Sequence, residues 1–211
     1  MSRPAPAEAA TPRRRRTLDV KALPDYAFGH HGLIWWGTIG FMVIEGSMFV
    51  LHLVTYFYLR TRVPEWPPSL PNPGLTFGTA NLILMLASAV PNHLTKSAAE
   101  HFDLPRVRLW ISVCVLFGLA FLAIRWFEFG SLASRWDSNA YGSIVWVTLA
   151  LHTAHVLTDV LDTMVLAILM FTAHVEPKRL VDVSENALYW DFIILSWIPI
   201  YLVIYWAPRW L

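Results

Sequence analysis

Ionisable side chains in the middle of long apolar segments are the residues of this sequence best suited to chemistry. Glu45 lies at the midpoint of the apolar segment 33–59. His52 follows seven residues later and Tyr56 eleven, so on a helix both return to within about 20° of Glu45. A carboxylate at membrane depth is costly and is a functional candidate by default. Two interpretations stand: a proton-conducting role for Glu45 and His52, or a hydrogen-bonded structural stripe that faces another helix.

A second group of polar side chains shares one face of a later apolar segment. Its members are His152, His155, Asp159 and Asp162. They fall within a helical arc of about 80°, so we expect this seam to face one neighbour. The first helix is the expected neighbour, because its own polar stripe of Glu45 and His52 also needs partners. Imidazole and carboxylate groups bind metals, but the sequence defines no third ligand and we expect no metal site. The seam is either a set of hydrogen bonds between helices or a proton relay.

The segments that carry these residues are long and apolar enough to cross a membrane. The chain is 56% hydrophobic and 15% charged, whereas soluble domains carry about 25% charged residues. A helix needs about 20 residues to cross the hydrocarbon core. Such segments cover residues 33–59, 75 to beyond Pro91, 107–130, 141–174 and 187–206. Because they lack the alternation of barrel strands, the sequence predicts an all-α integral membrane bundle of five transmembrane helices.

The Lys and Arg residues predict how the bundle lies in the membrane. With a cytoplasmic N-terminus and an external C-terminus, eleven of them lie on the cytoplasmic side and five on the other, which is the bias that membrane proteins show. Residues 1–32 are expected to form a cytoplasmic arm with a largely disordered start, and residues 33–211 the transmembrane domain. We assign the run Arg13, Arg14, Arg15 and Arg16 to contact with anionic lipid.

Several classes of function find no support in the sequence. The single cysteine, Cys114, leaves no thiolate cluster. The sequence has no phosphate-binding glycine loop, no nucleophile elbow and no zinc-protease motif. One short arginine run beside five membrane segments does not indicate nucleic-acid binding. We therefore expect a chain that acts inside a membrane and holds no metal or redox centre of its own.

Short motifs follow one another along the apolar segments in a specific order. They are Trp36-Gly37, Glu45, Tyr56-Phe57-Tyr58, Trp66-Pro67-Pro68, Trp126-Phe127-Glu128, His152-x-x-His155-Val156 and Tyr189-Trp190-x-Phe192. In this order they resemble subunit III of the heme-copper oxidases, in its five-helix bacterial form. The resemblance covers about residues 33 to 207, which is nearly the whole of the predicted transmembrane domain.

The resemblance implies a non-catalytic third subunit of a proton-pumping terminal oxidase of aerobic respiration. The hemes and copper would lie in partner subunits, above all in the catalytic subunit I, and this chain would bind phospholipid and carry no cofactor. Glu45 falls on the family's buried carboxylate, which is linked to sustained proton uptake. The membrane would be the bacterial cytoplasmic membrane.

The sequence departs from the family's pattern at several acidic positions. Asp191 stands where the family has a His, Asp159 where a small residue is usual, and Asp162 where an apolar residue is usual. A buried Asp without a partner costs several kcal/mol, so we expect Asp191 to face a polar group. Other functions remain open: an accessory protein of nitric oxide reductase, an ion or proton transporter that uses Glu45 and the seam, or a purely structural, lipid-binding role.

Overall fold

Five long helices make up the membrane-spanning part of the chain. The computed structural model describes residues 26–68, 70–172 and 175–210. The helices are α1 (Leu33–Arg60), α2 (Leu75–Glu100), α3 (Leu104–Ser131), α4 (Ala140–Met170) and α5 (Pro177–Tyr201). Within these described ranges no strand occurs, and all five helices are long and apolar enough to cross a membrane. The predicted all-α bundle of five transmembrane helices is confirmed.

The boundaries of the last two helices differ from the predicted ones. α4 ends at Met170, short of residue 174, and α5 begins at Pro177 rather than at Ala187. The first turns of α5 are rich in charged residues, so hydropathy places the start of this helix too late. A proline at the first helical position favours a start at this point, since its missing N–H would have no partner there. Helical turns continue beyond α5 to Trp210.

Most of the predicted N-terminal arm lies outside the described residues. This applies to the predicted lipid contact of Arg13, Arg14, Arg15 and Arg16. The described part of the arm begins at Tyr26 and contains one short 3₁₀ turn, Gly29–His31, immediately before α1.

Helix α1 lies at the edge of the bundle, whereas α2 to α5 pack around a shared core. The buried side chains of α1 are Glu45, Phe49 and Tyr56, and α1 contacts α4 and α5. Within the core, α3 and α4 come close at Gly118, where an added Cβ would clash with Cγ2 of Val160. Small residues let membrane helices approach in this way. The face that holds Glu45 is therefore the face that attaches α1 to the other helices.

A buried ion pair within α3 is also bonded to α2 and to the helical turns that follow α5. Nη1 of Arg125 lies 3.1 Å from Oε2 of Glu128, and both side chains are 1% exposed. Glu128 also accepts hydrogen bonds from Nδ2 of Asn81 on α2, at 2.6 Å, and from the hydroxyl of Tyr205. Three segments that are distant in sequence therefore converge on one carboxylate.

Aromatic rings cover the guanidinium group of Arg125. Its Cζ lies 4.0 Å from the ring centroid of Trp197 and 4.8 Å from that of Phe121. Among the described residues, no acceptor is aligned for a hydrogen bond with the guanidinium N–H groups. Charge attraction to Glu128 and the cation–π contacts therefore hold this buried cation.

We expect Glu128→Leu to destabilise the bundle by about 3–5 kcal/mol, because it leaves the Arg125 charge buried without a counter-charge. Unfolding of the purified protein in detergent micelles, followed by temperature, measures the effect. The matched control combines Glu128→Leu with Arg125→Met, which removes both charges and should recover much of the loss. Equal stability of the single and double variants would contradict a role for the ion pair.

Candidate functional site

Glu45 has a partner for each of its carboxylate oxygens. Oε2 accepts a 2.6 Å hydrogen bond from the hydroxyl of Tyr189 on α5. Oε1 lies 3.2 Å from Nε2 of His155 on α4. The carboxylate is buried, and the two contacts connect α1 to both neighbouring helices. The predicted meeting of the two polar faces is confirmed for Glu45 and His155.

A hydrogen bond between Glu45 and His155 requires one proton between Oε1 and Nε2. Nδ1 of His155 lies 2.6 Å from the carbonyl of Leu151, and a carbonyl only accepts hydrogen bonds, so Nδ1 carries a hydrogen. Nε2 then either accepts a proton from a neutral Glu45 or donates one to the ionised carboxylate. Either form of the pair is neutral as a whole, which suits a site away from water.

Asp159 and Asp162 are bridged by an amide of α5. Nδ2 of Asn186 donates to Oδ1 of Asp159 at 2.9 Å and to Oδ2 of Asp162 at 3.3 Å. Oδ1 of Asn186 accepts a 3.1 Å hydrogen bond from the hydroxyl of Thr163. Oδ2 of Asp159 has no hydrogen-bond partner in the described part of the chain, although the residue is only 4% exposed.

An open groove between α1, α4 and α5 connects these side chains, and we call it the carboxylate groove. Its volume is about 720 Å³. Its polar lining begins with Arg179 and Asp182 in the first turns of α5, continues with Asp162 and Asp159, and reaches Glu45. The groove therefore leads from one end of the bundle to the contact between Glu45 and His155 at mid-depth.

His152 and His52, two predicted site residues, lie away from the carboxylate groove. His152 is fully buried, and its Nε2 lies 3.2 Å from the carbonyl of Ile193 on α5. His52 is half-buried, and its Nδ1 lies 2.8 Å from the carbonyl of Met48 in its own helix. Neither histidine lines the groove, so the predicted seam divides between the core and the groove. The structure does not bring His52 together with Glu45.

The polar partner predicted for Asp191 is present on α2. Oδ1 of Asp191 accepts a 2.8 Å hydrogen bond from Nδ2 of Asn92. The neighbouring Trp190 donates its indole N–H to Oγ of Ser88 at 2.9 Å. These two contacts fix the rotation of α5, and with it the direction in which Tyr189 and Asn186 face.

Asn186 is a site residue that the sequence interpretation misses. The reason is the predicted start of α5 at Ala187, one residue too late to include it. Its spacing of three from Tyr189 places both on one helical face, so a helix started earlier would have revealed this part of the site.

The fold and the site define a multi-pass membrane protein with a groove lined by carboxyl, imidazole and phenol groups. In the described residues, no group of three or more His, Cys, Asp or Glu side chains is arranged to hold a metal ion. The sequence model of the family described as cytochrome c oxidase subunit III matches residues 26–209. Since the match covers almost all of the described helices, the chain belongs to the cytochrome c oxidase subunit III family.

Curated relatives carry the same family description. Cytochrome c oxidase subunit 3 of Synechocystis sp. is 27% identical over 195 residues, covering 89% of this chain and 83% of its own. Cytochrome c oxidase subunit 3 of Corynebacterium diphtheriae is 27% identical over 175 residues, covering 80% of this chain and 85% of its own. The likeness therefore extends over most of both relatives.

We expect Glu45→Leu to destabilise the bundle, because it removes the acceptor of the Tyr189 hydroxyl and the partner of His155. Each buried polar group left without a partner costs about 1–3 kcal/mol. Glu45→Gln should cost much less, because its amide keeps the size of the side chain and still accepts and donates hydrogen bonds. Thermal unfolding in detergent compares the two variants, and equal losses would argue against the two contacts.

Proposed function

We propose that the chain is the third, non-catalytic subunit of a proton-pumping heme-copper oxidase in the bacterial cytoplasmic membrane. The observation that carries the proposal is the bonding of Glu45 to α4 and α5 in a chain of the subunit III family. Electron transfer and O₂ reduction take place in the partner subunits. This chain stabilises the catalytic subunit, binds lipid and supports proton uptake.

The support for a proton-related role comes from the groups around Glu45. A carboxyl, an imidazole and a phenol are joined by short contacts, and each is able to bind and release a proton. The open carboxylate groove gives water a way to this cluster. A stripe with a purely structural role would not need such a groove.

The support for a partner subunit comes from the exposed apolar side chains of α1. Phe41, Val43 and Leu51 are each more than half exposed, and they lie on a helix that has few buried residues of its own. Lipid and the catalytic subunit are the apolar surroundings that such a helix requires in a membrane. Phospholipid and subunit I are therefore the partners that we propose.

The direction of proton uptake follows from the proposed orientation. The first turns of α5, with Arg179 and Asp182, form one end of the groove. With a cytoplasmic N-terminus, supported by the bias of Lys and Arg, this end lies at the cytoplasmic surface. Protons would reach Glu45 from the cytoplasm.

We expect an affinity tag on this chain to co-purify a heme- and copper-containing complex from native membranes. The complex should oxidise reduced cytochrome c and consume O₂, in line with the names of the relatives. Optical spectra, oxygen uptake and identification of the subunits by mass spectrometry test this. A complex that reduces nitric oxide, or a chain that purifies alone, would overturn the proposal.

We expect Glu45→Gln to leave assembly and initial turnover of the complex intact and to shorten its working life during turnover. The amide preserves the packing but does not exchange a proton in the way that a carboxyl does. The number of turnovers before inactivation, measured by oxygen uptake, is the readout. Tyr58→Phe on the same helix, away from the groove, is the matched control. An unchanged number of turnovers would reduce Glu45 to a structural role.

A further inference from the structure

Asp159 combines deep burial with an unsatisfied carboxylate oxygen. Its Oδ1 accepts from Asn186, but Oδ2 has no hydrogen-bond partner in the described ranges. The residue is 4% exposed and lines the carboxylate groove. Buried polar atoms are nearly always satisfied in native proteins, so this sealed oxygen requires a partner that the described residues do not supply.

The charges around Asp159 are of its own sign. Asp162 lies three residues further along α4, and Glu45 of α1 is near enough to interact with Asp159 through its charge. From α3 and α5 the titratable groups that face the two aspartates are Cys114, Tyr189 and Asp182, none of which is a cation. Two ionised aspartates at this depth would therefore repel each other without a compensating charge.

The cations near the groove have other partners. Nη1 of Arg179 lies 3.3 Å from Oδ2 of Asp182 at the end of the groove. Lys96 of α2 acts on Glu185, whose Oε2 is a second unpartnered oxygen in the groove lining. The His155 ring is engaged by Glu45. Glu185 therefore has a cation nearby, whereas the charge of Asp159 has none within the described groove lining.

Protons are the ligand that this arrangement accepts. A buried carboxylate without a counter-charge takes up a proton rather than remaining ionised. The bridging amide of Asn186 donates to one oxygen of each aspartate, which leaves the sealed Oδ2 of Asp159 able to carry a proton. The exposed Asp162 is the member of the pair that meets the groove. The described residues also show no cluster of three metal-binding side chains, so a metal ion has no comparable set of ligands here.

We infer that Asp159 and Asp162, bridged by Asn186, form a second proton-binding site, separate from Glu45, that exchanges its proton with water in the carboxylate groove. Along the axis of α4, Asp159 and Asp162 lie about 6 and 10 Å from His155. Both lie on the side of His155 that faces the start of α5. The site would hold protons on the way to Glu45. The delivery of protons to Glu45 rests on the proposed function, whereas the binding of a proton by Asp159 and Asp162 does not.

A hydrophobic carbodiimide tests the site in the complex purified with its native lipids. The carboxyl O–H adds across one C=N bond of dicyclohexylcarbodiimide to give an O-acylisourea, which rearranges to a stable N-acylurea with the full mass of the reagent. We expect peptide mapping by mass spectrometry to find this adduct on Asp159 and to find it also in Glu45→Gln. In Asp159→Asn the adduct should fall to background, because Asn keeps the shape and the acceptor for Asn186. Asp137→Asn, in the loop before α4 and outside the groove lining, is the matched control and should leave the Asp159 adduct unchanged.

Infrared spectroscopy provides a second readout that needs no reagent. A protonated carboxyl gives a C=O band that shifts in D₂O when its proton exchanges. We expect Asp159→Asn to lose the intensity of a single carboxyl from this band, and Glu45→Gln to keep that intensity. An unlabelled Asp159 together with an unchanged band in Asp159→Asn would overturn the inference. Neither readout depends on turnover, so failure of the oxidase assignment would be recognised separately, from the composition and activity of the complex.

Discussion

The pairing of a membrane-depth carboxylate with two other helices is the constraint on which the rest of the structure depends. Glu45 sits on an edge helix with few buried side chains, and lipid offers a carboxylate no hydrogen-bond donors. Its two oxygens therefore have to find partners on neighbouring helices, which are His155 of α4 and Tyr189 of α5. Both helices must be rotated about their axes so that these two side chains face Glu45. The hydrogen bond between Asp191 and Asn92 fixes the rotation of α5.

The polar groups in the two halves of the bundle differ in their exposure. Near the end of α3, Arg125 and Glu128 are sealed at 1% exposure beneath aromatic rings. Near the start of α5, the carboxylate groove stays open and contains acceptors without partners. A sealed ionic cluster keeps helices in register without exchanging protons with water, whereas an open groove lets carboxyl groups exchange. Under the proposed function, rigidity and proton access would therefore be separated along the membrane normal.

The sequence predicts the helices and the meeting of Glu45 with His155, because helical periodicity and the cost of a lone carboxylate in lipid determine both. It does not predict the partners on α5. The charged first turns of that helix hide its start, and with it the bridging Asn186. Periodicity also groups His52 with Glu45, but an edge helix turns only a narrow face to the bundle. His52 satisfies its Nδ1 on the carbonyl of Met48 instead.

The hydrogen bonds around His155 decide what kind of proton site Glu45 forms. A histidine relays a proton when one ring nitrogen accepts it while the other releases it. Nδ1 of His155 is held by the carbonyl of Leu151, which cannot receive a proton, and Oε2 of Glu45 already accepts from Tyr189. Under the proposed function, a proton between Oε1 and Nε2 would therefore arrive and leave only at that contact. Glu45 would then store a proton and would not conduct it across the bundle.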